Sequence, residues 1–314
     1  MKESRYRVAW MDAPEFSLHI NRAEVEAPIR LDTIRETFIR QGLDSRIERR
    51  LPHPVPAARH TAVHKESYIQ SIRGACQSSG KLTFDTAVIP ASWNAAILGA
   101  GAVVDAVEFV LDQPGRRAFC STRPPGHHAF ADSAGGFCLF NNVAIGAEAA
   151  LTHSTIERVA ILDWDVHHGD GTQDIFYERE DVFFASIHQS RIYPGTGCHT
   201  ETGAGPGAGT TLNCPMPEGA TNAALVNAWK EKIRPALESF QPDILFISAG
   251  FDADSRDPLG GLEVSPAGFE VLSESVLRWS EAHCNGRVVS TLEGGYNPTA
   301  LAEDVSIHVN TLLG

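Results

Sequence analysis

The sequence predicts an α/β protein whose mostly parallel sheet is covered by helices on both faces. Short runs rich in Val, Ile and Phe alternate with longer helical patterns, as in repeated βαβ units. The runs VAIL and DILFI are apolar on both faces, which is typical of strands buried between two helix layers. The chain has no internal repeat and no linker, so we expect a single domain over residues 1–314.

The predicted elements follow from hydrophobic periodicity and from the turn residues that bound each run. Strands are expected at residues 6–10, 117–121, 158–164, 182–187, 243–248 and 287–292. Helices are expected at residues 91–111, 142–151, 220–240, 266–282 and 299–312. The glycine-rich segment 190–215 is predicted to be a surface loop near an active site. A phosphate-binding loop is the alternative there, but no Gly-Lys-Ser/Thr sequence follows it.

The composition is typical of a globular protein in a reducing compartment. Hydrophobic residues make up 43% of the 314 residues and charged residues 21%, which argues against a disordered chain. Lys and Arg number 26 while Asp and Glu number 39, and the net charge of −13 argues against a nucleic-acid partner. The six cysteines form no C-x-x-C pair, so free thiols are expected.

No membrane partner is expected, and the expected location is cytoplasmic. The first residues lack the apolar core of a signal peptide. The longest apolar helix candidate, residues 95–111, is interrupted by Asp105 and Glu108. We therefore do not expect this helix to span a bilayer.

Polar motifs follow four of the predicted strands at the points where those strands end. They are RPPGHH at 123–128, DWDVHHGD at 163–170, AGFD at 249–252 and EGGY at 293–296. In an open parallel sheet, ligands bind outside the carboxyl ends of the strands. The four motifs therefore predict one shared functional site.

Two aspartates and one histidine in the second motif suggest a metal site. Asp163, Asp165 and His167 alternate along an extended segment, so their side chains are predicted to share one face. Burying such groups together is costly unless a cation neutralises them. An Asp–His pair with Asp252 as a third ligand leaves a position open for water, as in a catalytic zinc site. The alternative is that Asp163 and Asp165 only cap or hydrogen-bond a loop.

A second group of residues predicts proton transfer. His127 and His128 are adjacent on a glycine-containing turn, where one imidazole can accept a proton while the other donates one. Tyr296 follows two glycines and is expected to swing its phenol over a small substrate, where it would stabilise an oxyanion opposite the metal. Taken singly, a histidine is more often structural, and Gly-Gly-Tyr is a common turn.

Taken together, these motifs make the sequence resemble the histone deacetylase superfamily, which shares its fold with arginases and acetylpolyamine amidohydrolases. The resemblance runs from about residue 30 to the C-terminus and includes GGFCLFNN at 135–142 and DPLGG at 257–261. The forms DWDVHH, DPLGG and LEGGY are most similar to the class II branch, in particular class IIb. The resemblance implies a catalytic domain with an eight-stranded sheet and zinc-dependent hydrolysis of an N-acetyl amide.

The resemblance also implies roles for individual residues. Zn²⁺, or alternatively Fe²⁺, would be bound by Asp165, His167 and Asp252. The general base and acid would be His127 and His128, partnered by Asp163 and Asp170, and the oxyanion would be stabilised by Tyr296. One structural K⁺ would be bound by Asp163, Asp165, His167, Ser186 and the carbonyl of Ile187. A second K⁺ would be bound by carbonyls around Phe176, Arg179 and Val182.

The expected substrate channel bears on specificity. Gly136 and Phe137 match the wall of the family's acyl-lysine tunnel, and Tyr193 lies where the family usually has a phenylalanine. The added hydroxyl favours a shorter or more polar acyl chain. Leu259 lies where the class IIb polyamine enzyme has a glutamate, which favours acetyl-lysine in a protein or peptide over an acetylpolyamine.

Other interpretations stay open at this point. If an acetylpolyamine is the substrate, Glu24 or Glu26 would recognise its distal cation. A non-catalytic acetyl-lysine reader would have lost a metal ligand or replaced Tyr296, and arginase-like manganese chemistry requires further metal-ligating side chains. The acidic net charge suits a Lys-rich peptide and a polyamine equally well. A homo-oligomer is also open, since a partner's loop could narrow the channel mouth.

Overall fold

An eight-stranded sheet forms the centre of the computed structural model, which describes residues 4–20 and 25–314. The strand order is β2-β1-β3-β8-β7-β4-β5-β6, and every pairing between these strands is parallel. The α/β prediction is therefore confirmed, and the sheet is parallel throughout rather than mostly parallel.

The strands are β1 Arg7–Met11, β2 Glu48–Arg50, β3 Arg116–Cys120, β4 Val159–Asp163, β5 Val182–Gln189, β6 Thr211–Met216, β7 Ile244–Ala249 and β8 Val288–Leu292. The first helices are α1 Ile29–Gln41, α2 Ala57–Thr61, α3 Glu66–Gln77, α4 Pro90–Asp112 and α5 Asn142–Leu151. The later helices are α6 Asp170–Phe176, α7 Asn222–Ala228, α8 Arg234–Phe240, α9 Pro266–His283 and α10 Pro298–Leu312.

Two helix layers cover the sheet, and strand β3 shows how. Successive side chains of a strand point to opposite faces. The Phe119 ring lies 6.2 Å from the His308 ring of α10, whereas the Cys120 thiol donates to the Ala102 carbonyl of α4. Helices α4 and α10 therefore lie on opposite faces of the sheet. Strands β4, β5, β7 and β8 are buried along their whole length, as expected for the middle of such a sandwich.

Among the described helices, α4 is long and apolar enough by length and composition to cross a bilayer. Most of its apolar stretch is buried within the protein, where α4 packs against α5 and β3. The same composition is required of a helix that lies in the middle of a core layer.

The structure differs from the sequence prediction in several places, and helices α1, α2, α3 and α6 were not predicted. Strand β2 is a short polar edge strand without the apolar pattern that would reveal it. The predicted loop 190–215 ends in strand β6, so the loop prediction is wrong for its last residues. The predicted helix 220–240 is divided into α7 and α8 by the π-helical turn Trp229–Ile233.

Candidate active site

The four polar motifs meet at one edge of the sheet. They follow β3, β8, β7 and β4, which are neighbours in that order. The parallel strands all end at the same edge, so their following residues converge although they are widely separated in sequence. The topology thus assembles the shared site that the strand ends predict.

Three buried side chains form a cluster that fits a divalent metal ion. The ligand atoms of Asp165, His167 and Asp252 all lie within 4.8 Å of one another. His167 Nδ1 is 3.1 Å from both Asp165 Oδ1 and Asp252 Oδ2. An imidazole nitrogen carries at most one proton and can serve only one of these oxygens. A cation between the three atoms would satisfy all of them, so this donor set fits the group that the sequence predicts.

The backbone orients the two carboxylates of this cluster. Val166 donates its N–H to Asp252 Oδ1 at 2.8 Å, and Gly294 donates its N–H to Asp165 Oδ2 at 2.7 Å. A Cβ at position 294 would lie 2.1 Å from Asp252 Oδ2, so only glycine lets the backbone approach this closely. Burial and the charge of Asp165 raise the pKa of Asp252 to about 7, a cost that a bound cation would remove.

Asp163 does not belong to the metal cluster. Its Oδ2 lies 3.0 Å from His127 Nδ1, and its Oδ1 accepts the N–H of Asp165 at 3.0 Å. The three side chains predicted to share one face, those of Asp163, Asp165 and His167, therefore have two different roles. Asp163 orients an imidazole, whereas the other two residues contribute to the cluster. The alternative interpretation, that Asp163 hydrogen-bonds a loop, is correct for its Oδ1 oxygen.

The tandem histidines form two histidine–aspartate pairs. His128 Nδ1 lies 2.7 Å from Asp170 Oδ1, and the centroids of the two imidazole rings are 4.0 Å apart. With each Nδ1 hydrogen-bonded to a carboxylate, we assign the proton to Nδ1 in both rings. This assignment makes Nε2 of a neutral ring available to accept a proton.

The two imidazoles have opposite pKa shifts. Burial disfavours the charged form of His127, but the carboxylates of Asp165 and Asp163 outweigh it and raise its pKa well above the usual value. Burial and the neighbouring charge of His127 lower the pKa of His128 to about 4. These opposite shifts favour the charged form of His127 and the neutral form of His128, so the two rings are suited to different tasks.

A cavity of about 260 Å³ leads to this pair. The predicted channel residues Gly136, Phe137, Tyr193 and Leu259 all line it. His128 and His167 also line this cavity, so it reaches one member of the histidine pair and one member of the metal cluster. Its walls are mainly aromatic and aliphatic, which suits an unbranched apolar chain better than a charged group.

Tyr193 forms part of the wall nearest the histidines. Its ring lies edge-on to His128, with centroids 5.0 Å apart and an interplanar angle of 83°. A Cβ on Gly135 would lie 3.1 Å from the Tyr193 hydroxyl oxygen, so the hydroxyl contacts the glycine wall directly. The glycine-rich segment that carries Tyr193 therefore does lie near the candidate active site, as predicted.

The backbone and the ring of Tyr296 both have partners in the structure. Its N–H donates to Asp257 Oδ2 at 2.5 Å. The Arg30 guanidinium lies 4.9 Å from the centroid of its ring and donates to the Glu293 and Gly295 carbonyls. Burial raises the pKa of Tyr296 well above its usual value, so its hydroxyl retains the proton and can donate a hydrogen bond.

The structure rejects Glu26 as a carboxylate of the channel mouth. Its side chain is fully buried and bonds Arg123 at Nε and Nη2 and Arg30 at Nη1. Burial alone would raise the pKa of Glu26, but these guanidinium groups lower it to about 2. Glu26 therefore pairs with two buried arginines and cannot meet a substrate cation. Glu24, the other candidate, lies outside the described residues.

The predicted potassium ligands lie on neighbouring strands beside this site. Ser186 of β5 pairs with Asp163 of β4, and Ile187 follows in the same strand. The second set lies where α6 leads into β5 and consists of Phe176, Arg179 and Val182. These placements are compatible with both potassium sites, which stay predictions.

Sequence reasoning overlooked three residues of the site. Asp85 lines the cavity, but it belongs to a loop without a recognisable motif. Asp257 holds Tyr296, and Glu293 accepts the N–H groups of Gly126 and His127 at 2.7 and 3.2 Å. Asp257 and Glu293 stand inside the DPLGG and EGGY motifs, so an acidic residue in a motif was the available signal.

The chain belongs to the histone deacetylase family, since the family model of the histone deacetylase domain matches residues 24–312. A probable deacetylase from Archaeoglobus fulgidus is 40% identical over 235 residues, which are 75% of this chain and 65% of that protein. A histone deacetylase-like amidohydrolase from Pseudomonas aeruginosa is 35% identical over 290 residues, which are 92% of this chain and 75% of that protein. The crystal structure of the HDA15 HD domain matches with a TM-score of 0.92 and 31% identity, covering 98% of this chain and 90% of that chain.

These comparisons confirm the family that the motifs suggest and class the chain with hydrolases named deacetylase or amidohydrolase. The chain spans less than two thirds of the archaeal relative's length. The class IIb assignment, the cytoplasmic location and the roles of the individual site residues stay predictions.

Proposed function

We propose that the chain is a zinc-dependent deacetylase that hydrolyses the N-acetyl amide of acetyl-lysine in a protein or peptide. One observation carries the proposal: the three-ligand cluster, two histidine–aspartate pairs and a protonated tyrosine converge at a cavity whose walls are mainly apolar. Such a cavity admits an extended acetyl-lysine side chain and brings its amide to the acid–base groups.

Asp165, His167 and Asp252 would hold the ion. A divalent metal bound there would act as a Lewis acid, polarising the amide carbonyl and lowering the pKa of a water molecule. Zn²⁺ is the proposed ion and Fe²⁺ the alternative, because both suit an imidazole with two carboxylates. We further propose structural K⁺ at the two sets of residues named above and a cytoplasmic location.

His128 is proposed to move the proton. Its Nε2 is unprotonated near neutral pH, and it lines the cavity, so it can accept a proton from the attacking water. The same nitrogen then returns the proton to the leaving amine. Asp170 keeps the Nδ1 proton of His128 in place and so fixes the tautomer that leaves Nε2 free.

His127 and Tyr296 are proposed to stabilise charge. A protonated His127 beside the cluster balances the negative charge that develops as the tetrahedral intermediate forms. The Tyr296 hydroxyl donates a hydrogen bond to the oxyanion, and its backbone is already held by Asp257 and Arg30. Donors fixed in this way before reaction are the most effective kind.

A second candidate substrate is an acetylpolyamine, which Asp85 favours. Its carboxylate lines the cavity and could pair with the distal ammonium of a polyamine. Leu259 lines the same cavity and contributes no charge, which favours the acetyl-lysine peptide instead. The non-catalytic and arginase-like readings gain no support, because the ligand set, both histidines and Tyr296 are all present.

The decisive experiment compares kcat/KM for an acetyl-lysine peptide and an acetylpolyamine with zinc-loaded protein of measured metal content. A preference of tenfold or more, about 1.4 kcal/mol in transition-state binding, decides between them. Asp85→Asn provides the control, because it removes the mouth carboxylate's charge and lowers polyamine hydrolysis selectively if that charge binds the ammonium. Absence of hydrolysis of both substrates by the metal-loaded protein would contradict the proposal.

A further inference from the structure

Thr86 connects the loop at the cavity mouth with the wall of the cavity. The side chain is fully buried, so its hydroxyl must find its hydrogen-bonding partners within the protein. The Thr86 hydroxyl donates to Asp85 Oδ1 at 2.8 Å and accepts the N–H of Phe137 at 3.2 Å. One hydroxyl therefore acts as donor to a mouth carboxylate and as acceptor for a wall residue.

Phe137 depends on such a partner because its backbone is strained. Its φ of 69° lies in the left-handed region, which is unfavourable for a bulky residue. The preceding Gly136 also has a positive φ, and a Cβ there would lie 2.2 Å from the His128 ring. This short segment thus packs directly against His128, and the bond from Phe137 to Thr86 helps to hold it there.

The conformation of this segment determines where the Phe137 ring lies. The ring forms an edge-on contact with Tyr296, with centroids 5.8 Å apart and an interplanar angle of 72°. A relaxation of the Phe137 backbone towards negative φ would turn the ring out of this contact. The cavity wall would then move while the metal cluster keeps its own backbone anchors at Val166 and Gly294.

Asp85 is positioned by the same hydroxyl. Its Oδ1 accepts a hydrogen bond from Thr83 at 2.5 Å as well as from Thr86 at 2.8 Å. Two hydroxyl donors on one carboxylate oxygen fix its orientation at the mouth of the cavity. The mouth carboxylate and the aromatic wall, which would contact different parts of a substrate, are therefore set by one side chain.

We propose that Thr86 is a positioning residue for substrate binding, which couples the orientation of Asp85 at the mouth to the conformation of Phe137 in the wall. The proposal rests on the proposed function in assigning the cavity to an acetylated amine. Asp85 and Phe137 line the cavity but belong neither to the metal cluster nor to the histidine–aspartate pairs. Loss of the Thr86 hydroxyl therefore weakens binding more than it slows the chemical step.

The test compares Thr86→Val with Thr86→Ser. Valine keeps the shape and removes the hydroxyl, whereas serine keeps the hydroxyl and removes the methyl group. On the better of the two substrates we expect KM of the valine variant to be about 5–10-fold above that of the serine variant, with kcat within about threefold, as expected for lost ground-state binding. Equal KM values, or a fall in kcat alone, would overturn the proposal.

A second readout does not depend on hydrolysis. Hydrogen exchange of a peptide covering residues 133–140 reports on the Phe137 N–H, which we expect to exchange at least tenfold faster in the valine variant than in the serine variant. Equal exchange in the two variants overturns the positioning role whether or not the protein is active. If the wild-type protein hydrolyses neither substrate, the proposed function fails, and the exchange result alone then decides whether Thr86 positions Phe137.

Discussion

Replacing Asp304 by asparagine is expected to stabilise the protein, and the effect is expected to grow with pH. Asp304 lies in α10 and is fully buried, and neither of its carboxyl oxygens accepts a hydrogen bond from a described donor group. Its neighbour Asp254 is already paired with Arg256 at 2.8 Å through both oxygens. Burial and the charge of Asp254 raise the pKa of Asp304 to about 9.

The magnitude follows from the two pKa values. The unfolded carboxyl has a pKa of 3.8, so between pH 3.8 and about 9 the folded state retains a proton that the unfolded state releases. The free energy of unfolding therefore falls by up to about 1.4 kcal/mol per pH unit across this range. At pH 7 the accumulated cost has an upper bound of about 4 kcal/mol. Asparagine resembles the protonated acid and removes this cost.

Urea unfolding of the wild-type protein and Asp304→Asn between pH 4 and 8 measures the effect. We expect similar midpoints at pH 4 and a gap that widens steadily towards pH 8. Glu303→Gln is the matched control, because it removes a carboxylate from the adjacent, half-exposed position that pairs with Arg256. A stability difference that does not change with pH, or an asparagine variant less stable than wild type at pH 8, would refute the reasoning.

Three further predictions concern the site and the core. Tyr296→Phe removes one oxyanion donor and is expected to lower kcat by about 10²-fold or more, so near-normal turnover excludes the assigned role. Tyr193→Phe removes the hydroxyl at the Gly135 wall and is expected to raise kcat/KM for a butyrylated substrate several-fold relative to an acetylated one. An unchanged ratio shows that the hydroxyl does not select the acyl chain. Burial lowers the pKa of His308 to about 3, so the free energy of unfolding falls by up to about 1.4 kcal/mol per pH unit as the pH decreases below 6.5. His308→Gln is expected to make the urea midpoint less dependent on pH in this acidic range.

The central strands and the strand-end motifs could be predicted because each is a local pattern. A buried parallel strand such as β4 is a continuous apolar run in the sequence. The polar residues at its end follow directly after this run, so both features can be recognised locally. Local spacing alone did not separate Asp163 from the metal ligands, because its partner His127 comes from another strand end, and only the family resemblance implied this pairing.

Residues whose role depends on distant partners escaped prediction for the same reason. From the sequence alone Glu26 is expected to be a surface carboxylate, because only the fold brings Arg123 into contact with it. Thr86 and Asp85 form a functional unit only with Phe137, about fifty residues further along the chain. Edge strands such as β2 need little apolar surface and therefore leave little trace in the hydrophobic pattern.

The strand order has a consequence for how the protein is made. Strand β8 is the last strand of the chain, yet it lies in the middle of the sheet, between β3 and β7. During synthesis the two halves of the sheet cannot join until residues 288–292 have left the ribosome, so the inner edges of β3 and β7 stay unpaired until then. Gly294 and Tyr296 follow directly after β8, so the metal cluster gains its last backbone anchor at the moment the sheet closes. A chain competent to capture a metal ion is thereby also a chain whose central sheet is complete.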